Sequence, residues 1–304
     1  MSGLNQNKKL VMCGCHEGGA LAVRALIEAG YAFDHFVCLT PEQAEKHAIS
    51  GYYDYRPLAE KHNIPVYSPR AYTLDHPEDQ RFFSEHRFDL LVQGGWQRLF
   101  PENVLETLSV GALGLHGSAD RLPKGRGRSP MNWSLIEGKE RFLMHLFMIK
   151  PGVDDGDVLG VLPFDINAHD DIRTLYYKYA ISYRELLLAY LPDILAGTAQ
   201  VQSQIGEPSY YPKRSPEDGR IDWETMDLTQ IYNFIRAQTK PYPGAFGTIG
   251  GRDIRIWKAR PFDTRLDAHT PSAPYGSVVE EFDGVLIIRC RGGLLLLDEW
   301  EEIV

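Results

Sequence analysis

No stretch of this 304-residue sequence approaches the ~20 consecutive apolar positions needed to cross a bilayer, so no membrane partner is expected. Positive charge is also in short supply. Lys and Arg number 32 against 41 Asp and Glu, a net charge of −9 with a pI near 5.6. Polyanion binders work through a basic field, so a nucleic-acid partner is not expected either, although Lys124, Arg126 and Arg128 form a local basic cluster. Cysteine is scarce: Cys13, Cys15, Cys38 and Cys290. Cys13 and Cys15 are too close for an ordinary disulfide, and no second pair stands at zinc-site spacing, which leaves buried reduced thiols. The opening Met1–Lys9 lacks an apolar core and a small-residue cleavage site, so a cytoplasmic location is the expectation.

What is present suits a folded protein of two domains. Hydrophobic residues make up 43% and charged residues 24%, values that sustain real cores. Strand-like runs at Lys9–Cys13, His35–Leu39, Ile64–Tyr67 and Phe88–Gln93 alternate with helical spacing at Ala20–Ala29, Tyr55–His62 and up to His86. That alternation predicts βαβ units, hence an α/β, Rossmann-like doubly wound parallel sheet. The sheet is expected to continue through Ala112–His116 and Leu143–Lys150, followed by a long amphipathic helix over Ile172–Leu195. Its tyrosines suit packing better than ligand stacking. Near Gly206 the texture changes: Pro208, Pro212 and Pro216 punctuate a linker. A helix at Leu228–Gln238 and five short strands from Ala245 to Trp300 then predict a smaller antiparallel, OB-like domain. The expected division is 1–205 for the catalytic domain and 206–304 for linker plus barrel.

Three places bear chemistry. Cys13–Gly19 is Gly-rich after a strand, but its spacing is not G-x-G-x-x-G and Glu17 would repel a pyrophosphate, so it reads as a tight strand-to-helix turn. His116 ends a strand ahead of a Gly/Pro-rich loop. In an open sheet the ligand crevice lies beyond strand carboxyl ends, where an imidazole can move protons. Asp154, Asp155 and Asp157 follow the next strand, and a carboxylate there can reach across to hold the histidine. The acidic run lacks the further ligands of an EF-hand loop, and no metal is expected.

The run His116-Gly-Ser…Leu-Pro-Lys-Gly-Arg-Gly-Arg-Ser-Pro-Met-Asn-Trp133, the run Val153-Asp-Asp-Gly-Asp157, the stretch Tyr210–Trp223 and Pro241–Phe246 together resemble the folate-dependent formyltransferases across roughly residues 88–262. The resemblance implies N10-formyltetrahydrofolate as formyl donor and an Asn-x-His…Asp catalytic set. His116 matches the histidine and Asp154 the aspartate; the asparagine position is Gly114, a departure from the pattern, as are two extra residues between Ser118 and Pro123. The resemblance also implies a pterin held by the loop of Gln93, Gly94, Gly95, Trp96 and Leu99 and by Val153, Asp155, Gly156 and Asp157.

Within that family the acceptor is either initiator methionyl-tRNA or a nucleotide-linked amino sugar. Leu39–Pro57 mixes Lys46 and Arg56 with Glu42, Glu45 and Asp54, and the tail at 298–302 is acidic, a poor grip for tRNA. A sugar nucleotide needs only local cations; Lys124, Arg126, Lys213, Arg214 and Arg236 are candidates, with Tyr210 as an aromatic contact. The expectation is therefore a nucleotide-sugar N-formyltransferase of surface-polysaccharide (lipopolysaccharide O-antigen) synthesis. The alternatives are a methionyl-tRNA formyltransferase, or a folate or nucleotide-sugar binder impaired by Gly114. Short barrel strands and many aromatics would suit a homodimer.

Overall fold

The structure, a computed structural model, describes residues 4–5, 7–49, 51–269 and 272–303. Part of the polar N-terminal stretch therefore lies outside the described residues. The chain forms two compact units. The first comprises Met1–Gly127, Leu143–Phe164 and Tyr176–Tyr210; the second comprises Arg128–Phe142, Asp165–Leu175 and Tyr211–Val304. The division thus falls five residues beyond the expected 205/206 boundary, and two earlier segments belong to the second unit.

In the first unit the strands are β1 (Leu10–Gly14), β2 (His35–Cys38), β3 (Val66–Tyr67), β4 (Leu90–Gly94), β5 (Gly111–Ser118), the short β6 (Arg126–Gly127), β7 (Arg141–Met148) and β8 (Val158–Asp165). Seven of them form one sheet in the order β3-β2-β1-β4-β5-β7-β8. β1 is buried along its whole length, the signature of a parallel strand covered on both faces. The order reverses between β1 and β4, the switch point at which doubly wound sheets open a ligand crevice. The expected doubly wound parallel sheet is present, with one antiparallel pair at its far side. β1, β2, β3, β4 and β5 pair in parallel, whereas β7 runs antiparallel to β5. β8, absent from the sequence expectation, extends the sheet; its segment alternates too irregularly to read as a strand.

The Gly-rich turn after β1 is a matter of close packing. A Cβ on Gly14 or Gly19 would come within 2.6 Å of the Gly94 backbone. The first helix, Glu17–Glu28, starts there, with the His16 side chain accepting from Gly18 N–H at 3.0 Å. The long helix runs over Ile172–Ala196 and ends at Gly197, whose φ of +72° suits a residue without a Cβ. All four cysteines are buried and unbridged, and burial pushes the Cys15 thiol up to about 11.

The second unit carries, after the two-residue β9 (Tyr210–Tyr211), a five-stranded antiparallel sheet. Its strands are β10 (Ala245–Ile249), β11 (Arg252–Asp263), β12 (Val278–Phe282), β13 (Val285–Cys290) and β14 (Gly293–Glu302), in the order β10-β11-β14-β13-β12. The helix Leu228–Arg236 is closed by an Asp227/Gln230 capping box and buries Leu228, Ile231, Phe234 and Ile235 in the same core as Ile254 and Leu295. Among the described residues no helix is long and apolar enough to cross a membrane.

Candidate active site

β5 and β7 place the candidate residues. Gly114, His116 and Ser118 share one face of β5, and their partners across the antiparallel pair are Phe147, His145 and Leu143. The last parallel pair between β4 and β5 is Val92 with Leu113, so Gly95 and His116 each stand three residues past it at the same edge. Instead of leaving the sheet, the turn between β7 and β8 folds back and brings Asp154 to His116. Asp154 adopts φ +48°, a left-handed conformation uncommon outside glycine. Gly156 is required there: a Cβ would lie 1.7 Å from the Met148 carbonyl oxygen.

His116 is 7% exposed. Its Nε2 lies 2.8 Å from the Gly125 carbonyl oxygen and its Nδ1 lies 3.3 Å from Asp154 Oδ2. A carbonyl can only accept, so Nε2 carries a proton. A second proton, taken up at Nδ1, is held directly by the Asp154 carboxylate. That same carboxylate oxygen accepts from Gly127 N–H at 3.0 Å. Beside this pair stands His145, 1% exposed, its Nε2 accepting from Leu122 N–H at 3.4 Å. Burial first and the neighbouring His116 second push His145 down to about 4.

The asparagine position is filled from across the sheet. A Cβ on Gly114 would meet Phe147 Cζ and Ile149 Cγ1 at 2.8 Å each, so the volume beside His116 is apolar. Asn132 offers no replacement: it is buried in the second unit, with its Nδ2 donating to the Ala237 carbonyl at 2.7 Å.

The loop after β4 is largely satisfied from within. The Gln93 carbonyl accepts from Tyr183 OH, Gly94 from Tyr55 OH at 3.0 Å, Gly95 from Cys15 Sγ at 3.3 Å, and Trp96 from Gln93 Nε2 at 2.9 Å. Trp96 is buried with no hydrogen-bond partner for Nε1, and Asp155 Oδ1 is likewise buried without one. Leu99 and Val153 are 53% and 40% exposed apolar residues. Asp157 is ion-paired with Lys150 at 2.9 Å. Among the described residues there is no cluster of three or more His, Cys, Asp or Glu that could hold a metal.

The candidate substrate cations divide. Lys124 and Lys213 are exposed. The Arg126 guanidinium is bonded to Gln204 Oε1, from Nη2 at 2.6 Å and from Nε at 3.2 Å, and Nη1 lies 3.3 Å from the exposed Tyr210 hydroxyl. Arg214 packs over the Trp133 and Phe234 rings and donates to Gln238 Oε1 and Asp218 O. Arg236 donates to the Asn167 and Asp170 carbonyls and to Asn233 Oδ1. Arg214 and Arg236 thus hold the second unit together. Sequence reading missed Gln204, Gly125, Phe147 and His145. His145 and Phe147 emerge as the partners of His116 and Gly114 only from the antiparallel register of β7, which the sequence does not state.

Residues 35–191 match the family model described as formyl transferase, and residues 213–302 match the model for the formyl transferase C-terminal domain. The chain is similar in fold to an N-formyltransferase from Helicobacter canadensis solved with folinic acid and dTDP-3-aminofucose, at 17% identity and a TM-score of 0.72, covering 97% of this chain and 100% of that one. It is also similar to HypX from Aquifex aeolicus in complex with tetrahydrofolic acid (19%, TM-score 0.66), covering 98% of this chain and 44% of that one. A third likeness is the methionyl-tRNA formyltransferase from Clostridium thermocellum (16%, TM-score 0.57), covering 97% and 99%. The chain spans less than half the length of the HypX chains and nearly all of the other two.

Proposed function

Because the chain belongs to the formyl transferase family, we propose that it moves a formyl group from N10-formyltetrahydrofolate to the amino group of a nucleotide-linked amino sugar. A role in surface-polysaccharide synthesis is part of that reading. The observation that carries it is the pairing of buried His116 with half-buried Asp154, 3.3 Å apart, on the edge from which the β4 loop also leaves. The amine attacks the formyl carbon, His116 takes the amine proton, and the Asp154 carboxylate stabilises the imidazolium until the proton passes to the departing folate nitrogen. Nε2 donates to the Gly125 carbonyl, so Nδ1, on the Asp154 side of the ring, is the nitrogen left to take that proton. Asp155 Oδ1, a buried acceptor without a partner next to Asp154, suits the polar edge of a pterin. Leu99 and Val153 offer it apolar contact.

The acceptor reading rests on charge. A net charge of −9 opposes a tRNA polyanion, whereas a diphosphate needs only a local cation such as exposed Lys124. A binding protein without turnover is the second reading, favoured by Gly114, since loss of an oxyanion donor can cost ~10²–10³ in rate. The test incubates the protein and the formyl donor with dTDP-, UDP- and GDP-linked amino sugars and with initiator methionyl-tRNA, and reads the products by mass. Formylation of one sugar nucleotide is expected. Formylation of the tRNA alone, or of nothing while the folate binds, would overturn the proposal.

A further inference from the structure

The segment that follows the long helix does more than link. Val158 and Gln202 exchange both backbone hydrogen bonds at 2.8 Å, which lays this segment along the start of β8. Two residues on, Gln204 Nε2 donates to the Asp154 carbonyl and to the Gly156 carbonyl, each at 2.8 Å. Its Oε1 accepts from Arg126, whose backbone N–H is held by the Ser209 carbonyl at 2.9 Å. The orientation of this amide is fixed by its partners. Arg126 can only donate, so the oxygen faces it; carbonyls can only accept, so the nitrogen faces them. A carboxylate lacks the donors and an ammonium lacks the acceptor, so only an amide of this length serves both sides.

We infer that Gln204 is the positioning residue that holds Asp154 against His116, a role that rests on reading those two as the reacting pair. Asp154 sits at φ +48°, a conformation that persists only when its surroundings over-determine it. Gln204 supplies that constraint on the carbonyl side of the turn, at residues 154 and 156. Through Arg126 it also ties the turn to the strand whose Gly127 N–H bonds Asp154 Oδ2. Side chain and backbone of Asp154 are therefore fixed by one two-sided clamp.

The test compares Gln204→Ala and Gln204→Glu in the full chain. Glutamate keeps the length and the acceptor for Arg126 but loses both donors. The measurements are kcat, KM for both substrates, and amide hydrogen exchange over residues 122–128 and 152–158. Both variants are expected to fold, to lose about ten- to hundred-fold in kcat with KM changed less than about two-fold, and to exchange faster at Gly127 and over the Asp154 turn. Wild-type kcat in Gln204→Glu, or unchanged exchange in Gln204→Ala, would overturn the role. Exchange needs no turnover, so failure of the underlying reading, seen as undiminished turnover in His116→Ala, is separable from failure of the Gln204 assignment.

Discussion

Restoring the asparagine of the family pattern is the perturbation that probes the site's odd wall most sharply. Gly114→Asn would project its side chain where Phe147 Cζ and Ile149 Cγ1 already lie 2.8 Å from a Cβ. Phe147 sits directly across the strand pair and is buried, so its ring has little free room. Overpacking of this kind costs about 1–3 kcal/mol. At roughly 2–4 °C per kcal/mol for a unit of this size, the melting temperature falls by several degrees. The single variant gains no turnover, because the amide cannot reach the formyl oxygen. Phe147→Ala alone loses about 3–5 kcal/mol. In the double variant the new side chain fills the vacated volume, so stability exceeds the sum of the single effects, and turnover rises above that of Phe147→Ala by up to ~10²–10³. A double-mutant cycle by thermal or urea melts, with kcat for each member, reads both. Additive stabilities, or a gain in kcat from Gly114→Asn alone, would refute the view that Phe147 and Ile149 occupy the asparagine's place.

Stability should fall as pH drops from about 6.5 towards about 4, because the unfolded chain then binds protons at His145 that the native state refuses. At ~1.4 kcal/mol per pH unit the His145 share of the loss approaches about 3 kcal/mol; His145→Phe should remove that share and leave the share of His16, which burial also pushes down to about 4, and an unchanged urea-melt profile would contradict the burial argument. Arg214→Ala should destabilise the second unit by about 1–3 kcal/mol through lost stacking on Trp133 and Phe234 and lost hydrogen bonds, while leaving KM for the sugar nucleotide within about two-fold. A large KM effect without destabilisation would return it to the substrate site.

How far the sequence revealed all this depends on where the information lies. β1 and β4 read clearly because buried parallel strands are continuous apolar runs, and the helix Ile172–Ala196 read clearly because its periodicity is long. β8 hid because Gly160 and Pro163 interrupt its pattern and its burial is patchy. The antiparallel direction of β7 was illegible: nothing in a strand's composition states which way its neighbour runs. His116 and Asp154 stood out by motif, but their direct contact depends on a turn at φ +48° whose carbonyls are bonded by Gln204, fifty residues later, where the sequence carries no motif. Arg214 and Arg236 show how differently charge and coordinates weigh a residue. Charge suggests a ligand, and only coordinates reveal that backbone carbonyls and aromatic faces already occupy both guanidinium groups.

The central claim, that His116 and Asp154 together perform the proton transfers of formyl transfer, is tested most directly by kcat and donor affinity in His116→Ala and Asp154→Asn, using the sugar nucleotide the wild type formylates. Both variants should fold and bind the folate within about three-fold of wild type yet lose about 10²–10⁴ in kcat. Turnover within a few-fold of wild type in either would contradict the account.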